Sequence, residues 1–253
     1  MEVKLLIMTP NPIDVMWTAA RTCYSAEGPI TIWDNKYGEI EDGYDHSAEY
    51  CNQCTEKHWE LVKKVLESGH ESIAESVYFT FAIQDVSRVL LAQLTRHRAG
   101  VVFNVQSQRY VDYSDKFLAS TIPDSIVNNK EATDIYMNVL EKSKEAYDKL
   151  VDLKIPAEDA RYVLPNATCT NITMSVNLRE LMHICNLRLC TRAQEEIREL
   201  FGMIKLAVEL KEPRLSSLLV PNCEKDGFCK EHKCCGRKPK LKKILEVYKE
   251  NKK

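Results

Sequence analysis

Nowhere in its 253 residues does the chain carry Gly-x-Gly-x-x-Gly or a Gly-rich phosphate loop. Those absences exclude a Rossmann dinucleotide site and a P-loop. No Ser-His-Asp order accompanies a nucleophile elbow, which excludes hydrolase chemistry of that kind. No apolar run approaches the roughly 18 residues a spanning helix needs, so no membrane partner is expected. Residues 1–10 lack a long apolar core and reach proline at once. They read as a β-strand and not as a leader.

What is present is an ordinary globular balance, 44% hydrophobic and 28% charged. It suffices for a hydrophobic core without obligatory staples. Ten cysteines without a leader point to a reducing compartment, taken here as the cytoplasm. Cys23, Cys51, Cys54, Cys169, Cys185 and Cys190 are scattered and read as small buried hydrophobes. Cys51 and Cys54 form a Cys-x-x-Cys, but within a helical stretch and without the βαβ context of a redox motif.

The net charge of −2 is unevenly spread. Residues 225–253 hold eleven Lys/Arg and four Asp/Glu, a basic end of +7, leaving −9 on residues 1–224. Such a run reads first as a solvated tail. Residues 86–111 contain no acid and no lysine, yet carry Arg88, Arg96, His97, Arg98 and Arg109. In residues 160–194 the only acid is Glu180, and Arg161, Arg179, His183, Arg188 and Arg192 stand without a lysine. Arginine is favoured where a planar, bidentate donor grips phosphate or carboxylate. Two such windows suggest a site for a polyanionic ligand. The competing reading is that these arginines pair with acids distant in sequence.

The pattern predicts a strand over 3–9, a helix from Pro12 to about Arg21, a loop over 25–46 and a helix over 47–68. Ser47 is its candidate N-cap and Gly69 follows its end. A strand follows over 77–83, then a helix capped by Asp85 that delivers residues 96–98 at its C-terminal end. Residues 101–113 read as extended and 124–153 as a polar helix interrupted at Asn128-Asn129. A short helix from Pro156, a strand over 167–176 and a helical region over 177–210, broken near Thr191, complete the chain. Strands and helices mix without βαβ alternation, so the fold class is α+β, mixed helices packed on a small, mostly antiparallel sheet.

On one helix, Arg188 and Arg192 would be like charges four apart, at a cost of roughly 0.2–0.5 kcal/mol. Glu195 and Glu196 could compensate Arg192. Arg188 has no acid within four residues, so an anionic ligand or a distant acid must serve it. Ser107 has no base in sequence to activate it, and reads as a hydroxyl donor. Any redox or group-transfer chemistry would come from a cofactor.

Arg96-His97-Arg98, eight residues, then Ser107-Gln108-Arg109-Tyr110 resemble the signature of flavin-dependent thymidylate synthases. Residues 69–75 (Gly-His-Glu-Ser-Ile-Ala-Glu), 161–165 (Arg-Tyr-Val-Leu-Pro), and Asn177 through Arg188 followed by Ala193-Gln194 are similar to further blocks of that family, in its order. Val105, Ser76 and His183 depart from residues common there. The resemblance implies a homotetramer with active sites built between subunits. It implies conversion of dUMP to dTMP, with methylenetetrahydrofolate as carbon donor, FAD as redox cofactor, NADPH as reductant and no enzyme nucleophile. Arg188 is the implied catalytic residue, its guanidinium favouring the ionised uracil. Gln93, Arg96, Gln106, Ser107, Gln108, Arg109, Arg161 and Arg188 fall at the dUMP positions. His70, Ser72, Arg96, His97, Arg98, Asn177, Arg179 and His183 fall at the FAD positions, with His70 on the flavin and folate side. A catalytic domain over 1–220 and a Cys-containing basic tail over 221–253 are expected. Aromatics are sparse among the basic residues, so no nucleic-acid partner is expected. Cys223, Cys229, Cys234, Cys235 and His232 lack a clean Cys-x-x-Cys pair, and free thiols are favoured there over a metal.

Overall fold

The computed structural model describes residues 1–36, 48–114 and 118–250, and for 48–53 the backbone alone. A four-stranded sheet is built from β1 (Glu2–Met8), β2 (Tyr78–Ser87), β3 (Val101–Val105) and β4 (Cys169–Asn177), in the order β1-β2-β4-β3. Every pairing is antiparallel. The long helices are α1 (Pro12–Tyr24), α2 (Ala48–Glu67), α3 (Arg88–Leu94), α4 (Lys130–Asp152), α5 (Leu178–Arg188), α6 (Glu195–Glu209) and α7 (Leu241–Glu250). This is the expected α+β arrangement, and the break near Thr191 falls between α5 and α6.

The period-two pattern of β2 buries Phe79, Phe81 and Ile83 on one face, and β4 adds Ile172, Met174 and Val176. α5 covers this surface with Leu178, Leu181, Met182 and Cys185, and α6 with Ile197, Leu200, Phe201, Ile204 and Val208. Both sets follow helical spacing. Each such side chain contributes roughly 1.5–3 kcal/mol on burial. α1 packs on α2, where Asp14 meets His58 at 2.8 Å and Trp17 stacks on the His58 ring at 4.1 Å.

Three local expectations change. Asp85 caps no helix. It lies at φ 56° in a bulge of β2, where its amide binds the Asn171 side chain at 3.1 Å. The bulge carries the strand on to Ser87, whose Oγ caps α3 by accepting from the Leu90 amide. Within the expected loop, Pro29–Asp34 forms a short helix, because Pro29 presets its first turn. The remainder of that loop over 37–47, with the Ser47 cap, lies outside the described residues. Of the scattered cysteines, Cys169 and Cys185 are buried, Cys54 and Cys190 are partly covered, and Cys23 is exposed because it falls on the outer side of α1.

Candidate active site

The sequence folds so that two strand-to-helix junctions lie side by side. β2 runs into α3 at Ser87, and β4 runs into α5 at Asn177. Asn177 caps α5 by accepting from the Glu180 amide at 2.8 Å. α3 ends at Leu94, and Arg96, His97 and Arg98 follow directly. His97 is buried at 7% exposure, while Arg96 and Arg98 are exposed.

Arg188 ends α5 and reaches back to this segment. Its Nε donates to His97 Nε2 at 3.1 Å and its Nη2 to the Gln93 carbonyl at 3.2 Å. Among the described residues, no carboxylate pairs with Arg188, Arg96 or Arg98. Burial, then the neighbouring Arg96 charge, lowers the Arg188 pKa. His97 is pushed down to about 4 by burial, then by Arg188 and His183. It is therefore a neutral imidazole near pH 7. With Nε2 accepting from Arg188, its proton sits on Nδ1, which faces Glu180 Oε1 at 3.6 Å. Burial raises the pKa of Glu180, and the His183 charge partly opposes that rise.

The helix ends at Arg188, so Arg192 does not share a face with it, and the expected like-charge cost does not arise. Nor does Glu196 serve Arg192. It turns inward, accepting from the Ser87 amide at 2.7 Å and the Ser87 hydroxyl at 2.5 Å.

Beside this pair lies an open cleft of about 520 Å³, lined among others by Gly100, Asn177, Arg179 and His183. His183 stands edge-on to His97 at 6.2 Å. His70 and Ser72 are exposed at the 3₁₀ turn Glu71–Ser76 that borders the cleft. Arg179 is not free as drawn from the sequence. It pairs with Glu75 and, at 3.8 Å, with Glu71. Gly100 has φ +64°, and a Cβ there would stand 2.3 Å from Asn177 Nδ2. The backbone at Gly100 thus packs directly on the side chain that caps α5.

The second group of expected nucleotide residues follows β3. Gln106 is fixed by Asn171, whose Nδ2 donates to its Oε1 at 3.0 Å. The Ser107 hydroxyl accepts from the Arg109 amide at 3.2 Å. Glu158 gathers two arginines, taking Arg109 Nε on its carboxylate and Arg161 Nε on its backbone carbonyl, both at 2.9 Å. Gln108 is buried, and neither its Nε2 nor the buried Arg88 Nη1 has a hydrogen-bond partner among the described residues. Burial lowers the Arg88 pKa, with a smaller contribution from Arg161. Along β4, Asn171 beside Gln106 and Asn177 beside Gly100 are six residues apart, about 20 Å of strand. No hydrogen bond or ion pair joins the Arg96–Arg188 group to the Gln106–Arg161 group among the described residues.

Residues 4–214 match the family described as thymidylate synthase complementing protein. The chain belongs to this family. Among curated relatives it is 34% identical to the flavin-dependent thymidylate synthase of Geobacter sulfurreducens, over 97% of this chain and 98% of that one. It is 37% identical to the enzyme of the same name from Clostridium tetani, over 96% of each. The flavin-dependent thymidylate synthase ThyX of Helicobacter pylori, solved with FAD and dUMP, shares this fold at a TM-score of 0.64 and 24% identity, covering 87% of this chain and all of that one. A UMP/dUMP methylase from Streptomyces cacaoi aligns at a TM-score of 0.68 and 21% identity, covering 86% of this chain and 93% of that one. Within a thymidylate synthase complementing protein, sequence reasoning missed four things: Glu180 facing His97, Glu158 between two arginines, the carboxylates on Arg179, and the contact of Gly100 with Asn177. Two carried a signal: Gly100, as a lone glycine two residues after the Arg-His-Arg block, and Glu180, as the only acid of its window.

Proposed function

We propose that this chain converts dUMP to dTMP, with methylenetetrahydrofolate as carbon donor, FAD as hydride carrier and NADPH as reductant. Membership of the family supports the overall conversion. The observation that carries the reading of the site is Arg188, a half-buried guanidinium held by an imidazole and a carbonyl, with a second arginine beside it and no carboxylate among the described residues. Two neighbouring cations left unneutralised favour an anion between them.

Arg188 acts as the catalytic group by electrostatics. Its fixed donors favour negative charge on a pyrimidine ring over the neutral ring. His97, neutral and single-tautomer, holds Arg188 in orientation without competing for that charge. Gln93, Arg96, Gln106, Ser107, Gln108, Arg109 and Arg161 hold the nucleotide, the arginines through its phosphate. Ser107 serves as a hydroxyl donor, and its Oγ is committed to its own loop.

The cleft fits a flavin dinucleotide in its donor set. The Asn177 side chain and the close-packed backbone at Gly100 offer an amide and a surface without a Cβ, the carboxylates of Glu71, Glu75 and Glu180 line the cleft as well, and the exposed Arg96 and Arg98 lie just before it in the chain. His70, Ser72, His97, Arg179 and His183 would complete that set. FAD, when bound, supplies hydride chemistry that no side chain here can perform.

We place the two arginine groups in one active site across subunits of a homotetramer. Their separation along β4 supports this, as does the exposed strip of Ile7, Tyr78 and Val102 at the Asn177 end of the sheet. Residues 1–220 form the catalytic unit and 221–253 a basic appendage, and a reducing cytoplasm suits the free thiols.

Tritium release from dUMP labelled at ring carbon 5 tests the proposal, with FAD, methylenetetrahydrofolate and NADPH added. Release should need both folate and NADPH. FAD binding without release would overturn the reaction assigned. Neither binding nor release would favour a non-catalytic nucleotide-binding role.

A further inference from the structure

Between the end of α5 and the C-terminal segment lies a second cavity, of about 280 Å³. Asn186, Arg188, Arg192 and Lys233 are among its lining, and it shares no lining residue with the Gly100 cleft. We propose that this cavity holds the glutamyl end of the folate co-substrate, an amide linked to carboxylates, and that the basic C-terminal segment carries any further glutamates. The assignment rests on the reaction proposed above.

Three observations carry it. The first is charge. Among the described residues, no carboxylate pairs with Arg188, Arg192 or Lys233. The acids nearest Arg192 in the chain are engaged elsewhere: Glu195 faces Arg198 at 4.0 Å, and Glu196 is held by Ser87. Lys230 also lines the cavity, but Asp226 satisfies it at 2.7 Å. Glu231 is the one acid in the lining. Three unpaired cations against one carboxylate favour an oxyanion.

The second is a buried acceptor. Asn186 is 7% exposed, and its Oδ1 has no hydrogen-bond partner among the described residues. An acceptor buried in this way is costly until a donor reaches it. The ligand must therefore bring a donor beside its negative charge. A glutamyl group does so, because its amide N–H stands on the carbon that bears the α-carboxylate. Leu187, Ala193 and the partly covered Cys190 give that end apolar walls.

The third is position. His183 lines the flavin cleft and stands 6.2 Å from His97. His97 in turn accepts from Arg188, which lines the second cavity. The two spaces thus flank the Arg188–His97 contact. A co-substrate that gives up its carbon beside Arg188 has its far end within reach of the cavity. The cavity wall continues into the segment 225–253, with eleven Lys/Arg against four Asp/Glu. Each added γ-linked glutamate brings one more carboxylate to that charge.

The test uses the full-length, FAD-loaded protein and two probes, para-aminobenzoyl-glutamate and its triglutamate, in calorimetric titrations. Both should bind, the triglutamate about fivefold more tightly, and high salt should erase the difference. Arg192→Gln combined with Lys233→Gln should weaken triglutamate binding about tenfold, through loss of charge-assisted contacts. The same double variant should raise KM for methylenetetrahydrofolate and leave KM for dUMP and the FAD affinity unchanged. Failure of both probes to bind the wild-type protein overturns the proposal. So does a double variant with unchanged triglutamate affinity and folate KM. A rise in KM for NADPH in place of folate would give the cavity to the phosphates of the reductant, and overturns it too. The titrations need no turnover, so an empty cavity and a failure of the assigned reaction, read as tritium release without folate dependence, remain distinct results. Wild-type binding stands as a test even if the double variant fails to fold.

Discussion

Arg188 donates to His97 Nε2 across 3.1 Å, and this one contact sets the state of both residues. It fixes the histidine tautomer and holds the guanidinium with no carboxylate among the described residues to neutralise it. Replacing Arg188 by Ala should reduce turnover at least ~10²-fold, the scale of losing one preorganised donor to a developing anion. FAD should remain bound. Arg188→Lys should recover little, since a point charge cannot address His97 and the Gln93 carbonyl together. Loss of flavin together with activity in Arg188→Ala would show that Arg188 serves the cofactor instead.

The low pKa of His97 predicts a pH dependence of stability. Its folded value of about 4 lies below the ordinary value near 6.5. Between these values the unfolded chain binds more protons, so stability rises with pH across that window. This contribution is complete above about pH 6.5 and lost as pH falls toward 4. Thermal unfolding of wild type and His97→Asn between pH 4 and 7 measures it. The wild-type slope should be the steeper, and parallel curves would remove His97 as the source.

Gly100→Ala should fail for two reasons acting together, a positive φ and a Cβ 2.3 Å from Asn177 Nδ2. A loss of roughly 1–3 kcal/mol is expected from backbone strain and the displaced cap. Urea unfolding gives the loss, and flavin titration should show weaker FAD binding in the folded fraction. An Ala variant as stable as wild type would mean that the α5 cap moves freely.

Glu75→Gln should separate stability from binding. The Arg179–Glu75 pair is half-exposed, so its loss should change stability by less than about 1 kcal/mol. Freed of one carboxylate, Arg179 should hold the anionic cofactor more tightly. An unchanged FAD dissociation constant would take Arg179 out of the flavin site.

Glu196→Ala should cost about 1–3 kcal/mol although Glu196 touches no expected ligand residue. It would strip the Ser87 amide and hydroxyl of their acceptor at the start of α3. The position of the Arg-His-Arg segment depends on that start, so KM for dUMP should rise as well. Equilibrium unfolding and steady-state kinetics on the same preparation check both.

The parts legible in sequence were those with a local signal. Phe79, Phe81 and Ile83 announced a half-buried strand, and Leu178, Leu181 and Cys185 a helical face. The acid-poor windows around Arg96 and Arg188 marked the cations that do meet in space. The parts that were not legible depend on long-range partners. Asp85 looks like a helix cap until Asn171, from another strand, draws its amide into a bulge. Arg109 and Arg179 look as free as Arg188, and only the fold brings Glu158 and Glu75 to them. Window composition cannot tell an arginine awaiting a ligand from one served by an acid fifty or a hundred residues away.

Glu71 accepts from Lys225 at 2.8 Å on one oxygen and faces Arg179 with the other. The basic C-terminal segment and the proposed flavin cation therefore draw on a single carboxylate. Trimming the chain near residue 220 would hand all of that negative charge to Arg179. Engineering the appendage is, through this shared acid, engineering the cofactor's electrostatic surroundings.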